Sequence, residues 1–467
     1  MEYKAKTIYK NQVIHAVAGG LLLFGMGSSG VHANSVMSSS DQSGNPFMDA
    51  IKNSGIRFGG WVHGGATYNP SQTHGFMGPV TFADQANRFQ LNQLNFFLER
   101  GVKTEGKGWD IGFRADFLFG TDAIFTQAYG NPAFDVNNGR PLADRGNWDL
   151  EICCNSSRTY GIAIPQAFAE IYAPVGNGLN VKVGHFYTPI GHESVPAPNN
   201  FFYTHAYTMQ YGEPFTHTGV LSNYTISKNF TAMAGAIGGS GTGGWDGNFD
   251  KQMENWGGIG GVTWTSDDHN TSFNVSGTGS TTSTRNSSFW GMYSLVLKHK
   301  FTDKTHLILQ HDHGFADNVI LFNNVYSGVI KDAEWYGVNS HFYYDLTPDV
   351  SVGVRAEWFR DRDGFRVFAP GRVTAATNHL GVSYASNVGL LGTSTPADYY
   401  AVTIGANWKA AKTLNVGWQG LRQLNIRPNI RYDRVDALHE SLQAAAYRPF
   451  GGNKDQIIFS LDAILPF

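Results

Sequence analysis

Charged residues an even number of positions apart recur along this chain: Arg114 with Asp116, Arg355 with Glu357, and Arg427, Arg431 and Asp433 in one run. At that spacing both side chains leave the same face of a β-strand. The residues between them are apolar. Val350, Val352, Val354, Ala356 and Trp358 oppose Ser351, Gly353, Arg355 and Glu357, and Ile426, Pro428, Ile430 and Tyr432 oppose Arg427, Asn429, Arg431 and Asp433. Ile111, Phe113, Ala115 and Phe117 oppose Arg114 and Asp116, while Leu94, Phe96 and Leu98 oppose Gln93, Asn95 and Glu99. Faces that mix both signs can hold water and ions, or brace one another as ion pairs. They cannot face hydrocarbon, where Arg or Lys at mid-depth costs ~2–4 kcal/mol.

A second cluster lies in 188–214, between two strand-like runs. It has four prolines, which preset φ and favour an ordered loop, and no Lys or Arg stands between Lys182 and Lys228. Its chemistry rests on His192, Glu193, Tyr203, His205, Tyr207, Tyr211 and Glu213. Folded into an aqueous interior, this insert would form a constriction favouring cations while its histidines are neutral, and less so below pH ~6 as they charge. The alternative is a rim loop packed on its neighbours.

Other chemistry is sparse. No nucleophile elbow, His-Glu-x-x-His or Gly-rich phosphate loop occurs, so no catalytic residue is assigned and no cofactor is implied. Asp246-Gly-Asn248-Phe-Asp250 begins like a calcium loop, but lacks the glycine at the sixth position and has Gly257 where the twelfth-position glutamate belongs. His311-Asp312-His313 puts two imidazoles on one strand face, which suits packing at a strand end better than a ligand pair. No metal site is expected. Cys153 and Cys154 are adjacent, with Cα atoms ~3.8 Å apart, so a bond between them would be strained; two free thiols, or bonds to another chain, are the alternatives.

The elements that position these groups are strands. The hydrophobic fraction is 42% and mean hydropathy −0.26, with no run beyond the N-terminus near the ~18 apolar residues of a spanning helix. Transmembrane barrels hide from hydropathy in this way, because lipid-facing and lumen-facing residues alternate. Fifty-six glycines and 14% aromatics fit turns and girdles. A net charge of −3 without a long basic run excludes a nucleic-acid partner.

Sixteen strands can be laid out: 56–68, 87–102, 109–119, 164–173, 179–187, 215–226, 230–238, 256–265, 271–278, 289–301, 304–314, 333–346, 349–361, 397–409, 424–435 and 454–467. Connections alternate long and short, as expected of an all-β transmembrane antiparallel barrel with short periplasmic turns and long outer loops. The stretch 410–423 falls where a short turn belongs and keeps 14 or 18 strands open.

Both chain ends agree. Lys4, Lys6 and Lys10 precede an apolar stretch, Val13 to Met26, and Val31-His32-Ala33 offers a cleavage site, so 1–33 reads as a signal peptide. Residues 34–55 form a polar lead-in and 56–467 the barrel. At the other end Ile457, Phe459, Leu461, Ala463, Leu465 and Phe467 share a face, and the terminal aromatic resembles the sorting signal of bacterial outer-membrane barrels.

His185-Phe-Tyr-Thr-Pro-Ile-Gly191, Tyr211-Gly-Glu-Pro-Phe-Thr-His-Thr-Gly-Val-Leu221, Asp398-Tyr-Tyr-Ala-Val402 and Leu424-Asn-Ile-Arg-Pro-Asn-Ile-Arg-Tyr-Asp433 are similar to the beta-barrel porin-2 family, over about 56–467. The resemblance implies an outer-membrane pore without naming a solute. The expectation is a sixteen-stranded barrel passing small hydrophilic solutes and ions by diffusion, in contact with outer-membrane lipid and trimeric by analogy. Glu99, Arg114, Asp116, Arg355, Glu357, Arg427, Arg431 and Asp433 would line the pore. Two rivals are a substrate-selective channel using the insert as its filter, and a surface scaffold or adhesin anchored by the barrel.

Overall fold

The computed structural model describes residues 54–73, 75, 77–104, 108–126, 160–238, 256–281, 289–324, 327–367, 395–410, 421, 423–438 and 447–467. The expected signal peptide, Cys153, Cys154 and the calcium-like stretch at 246–250 all lie outside them.

Sixteen strands form one closed antiparallel barrel. In chain order β1 is Arg57–Tyr68, β2 Phe89–Arg100, β3 Asp110–Gly120, β4 Gly161–Ala173, β5 Leu179–Tyr187, β6 Thr216–Thr225, β7 Phe230–Gly238 and β8 Trp256–Thr265. They are followed by β9 Thr271–Thr281, β10 Phe289–Lys300, β11 Thr305–Asn324, β12 Ser327–Thr347, β13 Val350–Asp361, β14 Ala397–Lys409, β15 Asn425–Ala437 and β16 Asp455–Pro466. Each strand pairs with its sequence neighbours. β14 pairs directly with β15, so no strand stands between them in the sheet.

The last turn of the circle joins β1 to β16. Trp61 lies opposite Pro466, and beyond it Gly60 and Phe467 exchange backbone hydrogen bonds of 3.0 and 2.9 Å. The Phe467 ring packs edge-on against Phe96 at 5.6 Å. Gly60 is required here: a Cβ would lie 2.1 Å from the Asn95 carbonyl and 2.7 Å from the Phe467 ring. Closure leaves no backbone edge unpaired in lipid.

Alternation sorts the faces as the sequence implies. Val402, Ile404, Ile430, Ile457, Phe459 and Leu461 are exposed on the outside. Tyr68, Phe89, Phe315, Tyr400 and Tyr432 add exposed aromatics toward the outer ends of their strands, and Phe58, Trp264, Phe273 and Phe342 toward the turn ends. His311 and His313 are on this outer face; His313 is 2.8 Å from Glu334 and its ring packs with Tyr293 and Tyr336. Two strands depart from expectation. β11 runs on to Asn324 and β12 begins at Ser327, forming a hairpin well beyond the expected limits of 314 and 333.

The inner face is not an empty cylinder. An apolar cluster inside the barrel joins Ile190, Tyr207 and Tyr211 from the β5–β6 connection to Leu221, Ile237, Ile259, Met292 and Trp335 of the walls. A second gathers Phe82, from the β1–β2 connection, with Phe125, Val195, Ala206 and Met209.

Candidate functional site: the lumenal segment and its charged wall

The segment between β5 and β6 leaves the sheet at Thr188 and rejoins it at Phe215, where the Thr188 N–H donates to the Phe215 carbonyl at 2.9 Å. Between these points it crosses the lumen. It contains a short 3-10 turn at Ala197–Asn199 and one π-helical turn at Thr208–Gly212, whose five residues are all buried. Most of its hydrogen-bond partners in the sheet are inward-facing side chains of β2 and of β11 to β15.

Three arginines hold it. Arg355 donates to Glu193 Oε1 at 2.6 Å and to the Thr204 carbonyl at 2.7 Å. Arg431 donates to the His205 carbonyl at 2.8 Å and pairs with Asp433 at 2.7 Å. Arg427 donates to the Asn200 carbonyl at 2.6 Å and pairs with Asp462 at 2.5 Å. Glu357 lies 3.3 Å from both Arg355 and Arg431, and accepts the Tyr207 N–H. The network pairs many of the carbonyls and carboxylates that burial would otherwise leave without partners, while Glu357 Oε1 and Asp462 Oδ1 accept no hydrogen bond.

The remaining expected residues of the segment fall into the same assembly. Tyr203 donates to Asn92 Oδ1 at 2.7 Å, Tyr207 to Asp433 at 2.7 Å and Tyr211 to the Pro79 carbonyl at 2.8 Å. His205 sits 3.3 Å from Glu193, and its ring packs at a tilt against Phe82 with centres 4.2 Å apart. Glu213 accepts from Gln310, whose amide also reaches Asp312 at 2.7 Å. The His192 N–H donates to Gln310 Oε1 at 3.0 Å, and its ring meets His341 edge-on at 5.0 Å.

Two sequence expectations need correction. Arg355, Arg427 and Arg431 point inward but do not present a wetted wall: each is at most 1% exposed, because the segment lies over them. Arg114 alone of the four is partly open, held by Asp116 at 2.6 Å and Glu99 at 2.9 Å. The histidine switch also fails for His192: burial, reinforced by Lys298 and His341 nearby, pushes its imidazole well below the usual range. The acidic character is compensated too. Burial opposes ionisation of Glu193, but Arg355 and His205 outweigh it and keep the carboxyl well below its ordinary value.

Several participants were not singled out from sequence. Asp462 and His63 meet at 2.9 Å beside Arg427, and Asn339 donates to Thr208 at 2.6 Å. Inner-face parity marks all three, but only the fold shows that the segment reaches them.

A closed barrel with a charged and polar inner face and an apolar outside fits an outer-membrane channel protein. Residues 55–467 match the family described as "Putative beta-barrel porin-2, OmpL-like", and the chain belongs to it. It is a porin of the bacterial outer membrane, a channel for passive diffusion. The structure is similar to that of Pseudomonas putida OprB, with a TM-score of 0.50 and 13% identity over 90% of this chain and 96% of that one. Salmonella typhi OmpF aligns with a TM-score of 0.48 and 11% identity over 89% and 99% of the chains. The channel DcaP of Acinetobacter baumannii gives 0.45 and 11% over 88% and 97%. No curated protein matches the sequence.

Proposed function

We propose that the segment 188–215 is the constriction of this porin, and that its arginine clamp serves to fix the aperture rather than to line it. The observation that carries this reading is the burial of Arg355, Arg427 and Arg431 beneath backbone carbonyls of the segment. Buried ion pairs of this kind serve to specify one position for a loop more than to stabilise it. Solutes then pass where the half-buried Arg114, Glu170 and Lys182 of β3 to β5 face inward, away from the clamp. Small hydrophilic solutes and ions are the cargo, outer-membrane lipid the surroundings, and a homotrimer the assembly, reached after export and removal of residues 1–33.

Single-channel conductance of the refolded protein in a planar bilayer tests this. Stable ohmic steps are expected, and deletion within 194–210 should enlarge them. Folded protein that never conducts would overturn the channel reading and return the function to the outer loops.

A further inference from the structure

Carboxylates facing the lumen are already engaged. Glu99 and Asp116 hold Arg114, Glu193 and Glu357 hold Arg355, Asp433 holds Arg431, and Asp462 holds Arg427. Glu213 and Asp312 are bridged by one glutamine. The lumenal cations do not all have such partners.

Lys182 projects inward from β5. Its ammonium stands 4.3 Å from the centre of the Phe168 ring and 5.8 Å from that of Phe186. Glu170 is its cross-strand neighbour, yet that carboxylate accepts the Asn180 amide at 2.8 Å and does not come within the 4.0 Å of an ion pair with the lysine. Lys298 projects inward from β10, with Ser272 and Ile308 as its cross-strand neighbours. Among the described residues no carboxylate pairs with it, and its β11 neighbour Ile308 stands two residues from Gln310, which accepts the His192 N–H of the lumenal segment at 3.0 Å. That places Lys298 beside the constriction. Both lysines are only partly buried.

We propose that Lys182 and Lys298 make this channel prefer anions, with small organic carboxylates and inorganic anions as the favoured solutes. The inference rests on the reading of the barrel as a diffusion pore. Uncompensated charge in a narrow, low-dielectric channel raises the local concentration of counter-ions far more than the same charge on an open surface. The rings of Phe168 and Phe186 hold the Lys182 ammonium by cation–π contact, and Glu170 acts on it only from beyond ion-pair distance, which leaves it available to a passing solute. The acidic residues of the segment do not oppose this: Glu193 is matched by Arg355, and Glu213, hydrogen-bonded by Gln310 beside Asp312, has its carboxyl raised by burial and by that neighbour, which disfavours its charge.

The test is the reversal potential of the refolded full-length chain under a KCl gradient, with folding checked by heat-modifiable gel mobility. The unmodified protein should show a potential on the anion side. Lys298→Glu and Lys182→Glu should each lower the chloride-to-potassium permeability ratio by about twofold or more, and Lys298→Gln by a smaller step in the same direction. If either glutamate variant does not fold, the glutamine variant carries the test. A cation-preferring wild type, or variants with unchanged ratios in a conducting channel, would overturn the inference and leave the pore reading intact. Folded protein without conductance would remove both.

Discussion

Arg355 and Glu193, 162 positions apart in the chain, meet at 2.6 Å inside the barrel, and both are almost completely buried. The contact joins the wall of β13 to the segment that crosses the lumen. It also makes one charge of each sign depend on the other, since neither has bulk water to fall back on.

Arg355→Met should therefore release the segment more than it harms the barrel. Removing one partner of a buried ion pair typically costs ~3–5 kcal/mol, and here Glu193 would keep only His205 and the Ala206 N–H, and Glu357 only Arg431 and the Tyr207 N–H. Larger and noisier single-channel currents are expected, with the heat-resistant barrel retained. The double variant Arg355→Met with Glu193→Met should recover part of the quiet baseline. If the single variant conducts like the parent, the clamp does not set the aperture.

The root of the segment should respond to alkali. Burial, then the Asp312 charge, raises the Glu213 carboxyl well above its usual 4.5. A carboxyl raised in the docked state is most favourable below about 4.5 and loses stability as pH climbs toward its raised value. Gln310, Ser294, Gly191 and Glu193 surround the pair, and no described cation pairs with either acid. Hydrogen exchange of the segment amides should accelerate between pH 5 and pH 9 beyond the intrinsic rate. Glu213→Gln should flatten that profile.

His192 should not act as a pH sensor. Its imidazole stays neutral through the physiological range, so His192→Gln should leave the change in reversal potential between pH 5 and pH 8 as it is in the parent. A profile that vanishes in the variant would show that the ring titrates after all.

Gly191 is the tightest point of the segment. Its φ is +85°, and a Cβ would fall 1.9 Å from Glu213 Oε2. Gly191→Ala adds backbone strain of about 1–3 kcal/mol to that collision. It should raise channel noise in the same direction as Arg355→Met, read in the same bilayer recording.

Removing Phe467 should lower assembly rather than conduction. The deletion takes away the last backbone pair across the closing strands and the ring that packs on Phe96. The yield of heat-resistant barrel should fall, while those barrels that do form should conduct normally.

Most of the barrel was legible because lipid imposes a rule on sequence. Where a strand has hydrocarbon on one side and polar surroundings on the other, parity is strict, and β5, β7, β8 and β14 run over the residues read from the alternation. Past the membrane the rule lapses. The run Val319-Ile-Leu-Phe322 does not alternate, so the outer half of the β11–β12 hairpin had no signature. Parity also gave the inward direction of Arg355, Arg427 and Arg431, but not their burial. That depends on where a loop docks, and the partners Thr204, His205 and Asn200 are identified by backbone carbonyls, which no residue type encodes.

The cluster of Ile190, Tyr207, Tyr211 and Trp335 inside the wall gives this membrane protein an interior of its own. A barrel around free water owes its roundness to the surrounding bilayer and to the sheet alone. One packed from within is braced like the frame of a filled vessel. Its cross-section is set by side chains that never meet lipid, and so should survive transfer from thick membrane to thin, or into detergent, without change.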